Sequence, residues 1–213
     1  ILYEDDNGSL WAGSVRGGVF NIKESYIRTY KDSPLGYING LSEKSVTSFY
    51  EEPNGKLWIG TDGGGINLYD PQSGSFKHFP STYGDKVVSI APVSEKELMV
   101  SVYTKGIFLF EKHTGLYRPF LIKNDSINFR QCFYGYIPRA HRVTNDKIYI
   151  LSKDIWVYDI NNKKFSPIKT DKNYQLPTSV MAYSDERISL TMSGNKVFQI
   201  TNKNDSIKLL FQI

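Results

Sequence analysis

Three groups of residues in this 213-residue chain have side chains suited to chemistry: adjacent carboxylates, a few histidines, and one stretch that mixes aromatic rings with arginines. The adjacent acids are Glu4-Asp5-Asp6 and Glu51-Glu52. Glycoside hydrolysis uses a pair of carboxyl groups flanking the scissile bond. Neighbours on a strand point to opposite faces, so these acids make poor dyads. They also flank Asn-Gly turns, where solvated acids are ordinary. His78, His113 and His141 are scattered, and no H-x-x-x-H or C-x-x-C spacing implies a metal site. Gly63-Gly64-Gly65 lacks the Lys-Ser/Thr of a phosphate loop, and no G-x-S-x-G elbow is present. The residues imply no catalytic group, metal or cofactor. The third group lies in the segment KNDSINFRQCFYGYIPRAHR over 123–142, which holds Arg130, Tyr134, Tyr136, Arg139 and His141. Aromatic faces stack on sugar rings, and arginine grips carboxylate or sulfate bidentately.

The elements that must position these residues are repeated. Residues 4–22 read EDDNGSLWAGSVRGGVFNI and residues 51–69 read EEPNGKLWIGTDGGGINLY. Self-similarity at a period of 40–50 residues marks a repeat architecture. Within 46–79, Val46–Tyr50, Leu57–Gly60, Ile66–Tyr69 and Ser75–Phe79 read as short strands rich in β-branched and aromatic residues. Asn54-Gly55, the glycine triplet and Asp70–Gly74 read as the turns between them. Asn-Gly predicts a tight hairpin with both turn residues at positive φ. Four antiparallel strands joined by short turns make one propeller blade. The second strand is apolar enough to be buried on both faces. From Leu10, the second-strand starts at Leu57, Leu98, Ile148 and Ile188 follow at intervals of 47, 41, 50 and 40 residues.

The sequence therefore predicts an all-β β-propeller with about five four-stranded antiparallel blades, over residues 1–31, 45–80, 86–122, 137–170 and 178–213. It is expected to be a piece of a larger, seven-bladed array, because the chain opens on Ile1-Leu2-Tyr3 inside a strand pattern. Trp11 and Trp58 hold the same place in two repeats and are expected to be wedges between blades, with Asn7-Gly8 and Asn54-Gly55 as structural turns. A composition 40% hydrophobic and 14% aromatic suffices for a sizeable core. A net charge of +4 is too mild to imply nucleic acid. The single Cys132 excludes an internal disulfide framework. No apolar run is long enough to span a membrane.

Two resemblances follow. Asp6-Asn7-Gly8-Ser9-Leu10-Trp11 is similar to the Asp-box of sialidases, a structural turn in that family, although the second copy has Pro53 at the Asp position. More extensively, Asn39-Gly40-Leu41-Ser42 with Val46, then Glu51-Glu52-Pro53-Asn54-Gly55-Lys56-Leu57-Trp58-Ile59-Gly60-Thr61-Asp62-Gly63-Gly64-Gly65-Ile66, resembles the two-component regulator propeller repeat. The likeness is close over residues 1–80 and faint beyond. It implies the periplasmic sensor region of a Bacteroidetes hybrid two-component system. In that setting the propellers sense oligosaccharides as a homodimer and signal to a histidine kinase, with the membrane reached only through segments outside this chain. The alternative is a propeller enzyme, acting on polysaccharide or resembling streptogramin lyases, for which His141 is the one histidine in reach of a central funnel.

Propeller geometry puts the loops joining the second strand to the third on the same end as the connections between blades. That end is expected to carry the ligand site. Its short loops supply Arg16, Asp62, Tyr103, Lys105 and Lys153. Its long connections supply Tyr37, Asn39, Tyr83, Arg130, Gln131, Tyr134, Tyr136, Arg139 and His141. The mixture of arginine and aromatics predicts an acidic glycan.

Overall fold

The structure is a computed structural model, and it describes residues 1–23, 26–31, 40–80, 86–120, 139–142, 144–168, 177–184, 187–192, 196–201 and 206–212. The first blade comprises β1 (Leu2–Glu4), β2 (Leu10–Gly13), β3 (Val19–Lys23) and β4 (Tyr26–Tyr30). The second has β5 (Val46–Glu51), β6 (Leu57–Thr61), β7 (Ile66–Asp70) and β8 (Ser75–Phe79). The third has β9 (Val87–Pro92), β10 (Glu97–Val102), β11 (Gly106–Glu111) and β12 (Tyr117–Pro119). The fourth has β13 (Arg139–Arg142), β14 (Lys147–Leu151), β15 (Ile155–Asp159) and β16 (Lys164–Pro167). The fifth has β17 (Pro177–Ser184), β18 (Arg187–Met192), β19 (Lys196–Thr201) and β20 (Ser206–Gln212). Each blade is a four-stranded antiparallel meander in chain order, and together they form a five-bladed β-propeller. Among the described residues no helix is long and apolar enough to cross a membrane.

The core is divided by seam. Trp11, Leu41, Val46, Leu57, Ile59, Tyr69 and Phe76 fill the space between the first two blades. Trp58, Ile66, Phe79, Leu98, Val100 and Phe110 fill the next seam. A cluster around Met99, Ile148 and Trp156 joins the third and fourth blades, and one around Tyr149, Leu190 and Phe198 joins the fourth and fifth. Second strands therefore carry apolar residues on both faces, and β6 is buried along its whole length. The glycine ending each Leu-Trp-x-Gly run is a matter of space. A Cβ on Gly13 would lie 2.9 Å from Val46 Cγ1, and one on Gly60 2.8 Å from Val87 Cγ1. Each belongs to the next blade's innermost strand, so a side chain there would push the blades apart.

The Asn-Gly turns are one residue longer than a two-residue hairpin. Asp5 N donates to Ser9 O and Gly8 N to Asp5 O, leaving Asp6-Asn7-Gly8 as the loop; Glu52 and Lys56 bracket Pro53-Asn54-Gly55 identically. Only the glycines have positive φ, +75° at Gly8 and +80° at Gly55, while Asn7 and Asn54 do not. This is a type I turn closed by a left-handed residue. It explains Pro53, which suits the second position of such a turn.

Candidate functional site

In an antiparallel meander the β2–β3, β6–β7, β10–β11 and β14–β15 loops emerge at one end, together with the connections between blades. Arg16 and Val15 are exposed in the first loop, Asp62 in the second, Tyr103 and Lys105 in the third, and Lys153 in the fourth. Arg139 is exposed at the start of β13, the fourth blade's innermost strand, at the same end. Arg130, Tyr134, Tyr136, Tyr37, Asn39, Tyr83 and Gln131 lie outside the described residues.

Backbone bonds cross the seams at this end. Between the first two blades, Gly18 N donates to Lys44 O (2.9 Å) and Val46 N to Ser14 O (3.2 Å). The segment before β5 is pinned to its own blade, where Ser42 N donates to Asn67 Oδ1 (2.8 Å), Asn67 Nδ2 to Ser42 Oγ (2.9 Å) and Ser42 Oγ to Gly64 O (2.8 Å). Leu41, fully buried, plugs the seam beside it. At the next seam Asp62 and Lys86 form an antiparallel bridge. Lys86 Nζ lies 2.9 Å from Asp62 Oδ2, with both side chains about two-fifths exposed. Tyr103 N donates to Lys86 O (2.8 Å), which sets the Tyr103 ring, 43% exposed, on the same node.

This end is cationic. Arg16, Lys105, Arg139 and Lys153 make no ion pair among the described residues, whereas Lys86 is answered by Asp62. The arrangement can attract an anion and stack an apolar ring face, with hydroxyl acceptors supplied by Asp62. His141 stands apart from it. The sequence places it on a loop; the structure places it inside β13, paired with Tyr149. Among the described residues its buried Nε2 has no hydrogen-bond partner. Burial, and secondarily the Arg139 charge, pushes its pKa down to about 4. The ring is half-buried within the strand and is not a loop group. Among the described residues no three His, Cys, Asp or Glu side chains converge to hold a metal.

The adjacent acids occupy the opposite end, and three of them, Asp5, Glu51 and Glu52, are not simply solvated. Trp11 Nε1 donates to Asp5 Oδ2 and Trp58 Nε1 to Glu52 Oε1, each at 2.9 Å. Asp5 Oδ1 also accepts from the backbone of Asn7 and Ser9. Lys112 of the third blade reaches Glu52 Oε1 at 2.6 Å, so Glu52 ties two blades and a tryptophan together. Burial raises the Glu52 pKa, but the bonds from Lys112 and Trp58 outweigh it, and the net shift is downward. Tyr3 OH donates to Glu51 Oε2 (2.7 Å), stapling the first blade to the second. Burial pushes both of these groups upward. The sequence did carry a signal for the tryptophan locks: an acid precedes each Trp by six residues in both copies.

Comparison with known proteins agrees with this architecture. Residues 40–63 match the family described as two component regulator propeller. None of the curated proteins matches the chain. Among solved structures, the chain is similar to the extracellular domain of BT4673 from B. thetaiotaomicron (19% identity, TM-score 0.72, 98% of this chain and 30% of that one), which is designated a one component system. It is similar to the extracellular domain of BT3049 from the same organism, designated a hybrid two component system (18% identity, TM-score 0.70, 97% and 29%). An auxiliary nutrient binding protein from Bacteroides ovatus shares the fold as well (13% identity, TM-score 0.67, 98% and 56%). The chain thus spans about three-tenths of the length of the first two.

Proposed function

We propose that this chain is a non-catalytic, extracytoplasmic sensor segment of a hybrid two-component system, and that its ligand is an oligosaccharide bearing acidic groups. The observation that carries the reading is the regulator propeller repeat at 40–63, set in a fold shared with the extracellular domains of BT4673 and BT3049. The acidic character of the ligand rests on exposed Arg16, Lys105, Arg139 and Lys153, which lie at the same end of the blades as exposed Tyr103. On sequence grounds alone the proposal also assigns Arg130, Tyr134 and Tyr136 to this ligand. In this reading the protein lies in the periplasm and acts as a homodimer. Ligand shifts the population between two arrangements of that dimer, and a histidine kinase outside this chain reports it. The enzyme alternative is weakened by His141, because an imidazole paired inside a strand and lowered in basicity by desolvation is poorly placed to act as a lyase base.

The test is a thermal-shift and calorimetric screen of the chain against acidic and neutral oligosaccharides, with each sugar recovered afterwards. A ligand at a hundred times its dissociation constant stabilises the fold by about 2.7 kcal/mol. The reading expects an acidic oligosaccharide to stabilise the protein and return uncleaved. A cleaved sugar, or no stabilisation by any member of the panel, contradicts it.

A further inference from the structure

We infer that Tyr103, Asp62 and Lys86, meeting at the seam between the second and third blades, form a subsite for one neutral sugar ring; this rests on the oligosaccharide reading above and narrows it to an address. The three side chains come from different loops yet share one backbone node. Asp62 N donates to Ser45 O, Asp62 bridges to Lys86, and Tyr103 N donates to Lys86 O. Their main chains are therefore tied together before any ligand arrives, which lowers the entropic cost of binding.

The chemistry of the three groups is complementary to a pyranose. A sugar ring offers an apolar C–H face and adjacent hydroxyls, each able to donate and to accept. The exposed Tyr103 ring suits the C–H face. The Asp62 carboxylate accepts and the Lys86 ammonium donates, and their atoms are 2.9 Å apart. Because the two charges cancel, the subsite favours a neutral ring. Lys105, two residues beyond Tyr103 and without an ion-pair partner among the described residues, is placed to meet an acidic substituent on the next ring.

The turn that presents Tyr103 supplies a second, independent observation. Where the second blade has Asp62-Gly63-Gly64-Gly65, the third has Tyr103-Thr104-Lys105-Gly106. Gly63 adopts φ +105° without strain, whereas Thr104, a β-branched residue, is held at φ +60° in the corresponding place. The third blade gives up the glycine its backbone favours, and the residues flanking that position are an exposed ring and a cation with no ion pair among the described residues.

Amide chemical-shift mapping of the chain tests the subsite, with the methyl glycosides of glucose, galactose, mannose, xylose and glucuronic acid as probes at millimolar concentration. The expected result is that at least one neutral glycoside produces saturable shifts at Asp62, Lys86 and Tyr103. Y103A, whose ring is exposed and whose melting temperature should not change, is expected to weaken that binding at least tenfold; Asp62→Asn weakens it without abolishing it. Shifts confined to other loops, no shifts at all, or wild-type affinity in Y103A would overturn the subsite. The two readings fail separately. If an oligosaccharide binds the chain but Y103A binds it equally well, the subsite falls and the sensor reading stands.

Discussion

The two ends of this propeller are built from different turns and turn their polar groups in different directions. At the end where Asn7-Gly8 and Asn54-Gly55 turn the chain, the polar groups look inward: Asp5 and Glu52 hold tryptophans, Lys112 crosses a seam to Glu52, and Tyr3 crosses another to Glu51. At the opposite end Arg16, Tyr103, Lys105, Arg139 and Lys153 look outward. The second and third blades show the same division within one loop. The second keeps Gly63-Gly64-Gly65, where Gly64 leaves room for Ser42 and Glu43; the third places Tyr103, Thr104 and Lys105 there, one of them at a strained φ. In this loop the copy that keeps the glycines packs against its own blade, and the copy that departs from them exposes its side chains to solvent.

If that division is right, variants at the first end change stability and variants at the second change binding. The largest effect belongs to Trp58→Ala. Trp58 is 2% exposed and meets Phe79 of its own blade and Phe110 across the seam, each at a ring distance of 5.5 Å. Its loss should cost about 3–5 kcal/mol in urea unfolding. His141 comes next, through pH. Its folded pKa of about 4 lies below the ordinary value of 6.5. Above pH 6.5 the imidazole is neutral in both states; below it the unfolded chain gains a proton that the folded one refuses. Stability should therefore fall between about pH 6.5 and pH 4, by about 3 kcal/mol in all. Comparison of unfolding free energies for the protein and His141→Phe across that window isolates the effect, since the variant loses this slope.

Lys112→Met should cost about 2–3 kcal/mol, because it leaves the Glu52 carboxylate, about 14% exposed, without its cation. Equilibrium unfolding at neutral pH measures this. The penalty should shrink in acid as Glu52 protonates, since a carboxylate with a depressed pKa contributes its stability above the carboxylate range and loses it below. The smallest effect has the opposite sign. Thr104→Gly should raise stability by about 1 kcal/mol by relieving the left-handed conformation, seen as a higher melting temperature. A destabilised Thr104→Gly would mean that the residue serves the fold rather than the ligand face.

Much of the fold was legible because a period speaks for itself. Leu10-Trp11 and Leu57-Trp58 announced the repeat, and β-branched runs between glycine turns announced four strands per blade. The glycines after the tryptophans were legible as strand ends but not as contact points, because their reason lies in Val46 and Val87 of the following blade. The turn type was misread because Asn-Gly fits both two- and three-residue loops, and only the Asp5–Ser9 and Glu52–Lys56 brackets settle the length. The candidate surface was legible as a set of loops from topology alone. Its chemistry was not: Asp62 is paired to Lys86 of the next blade, and His141 reads as a loop residue but lies within β13, paired with Tyr149. The ion pair crosses a seam between blades, which a single repeat does not encode, and the start of β13 follows a long connection that breaks the repeat's spacing.

The measurement that tests the division of the two ends most directly is an amide chemical-shift map recorded while the chain is titrated with a binding acidic oligosaccharide. The account predicts perturbations at 14–18, 62–65, 86, 103–105, 139 and 152–154, all at one end. Perturbations centred instead on Asn7, Asn54 and Lys112, at the end that holds the tryptophans, would contradict it.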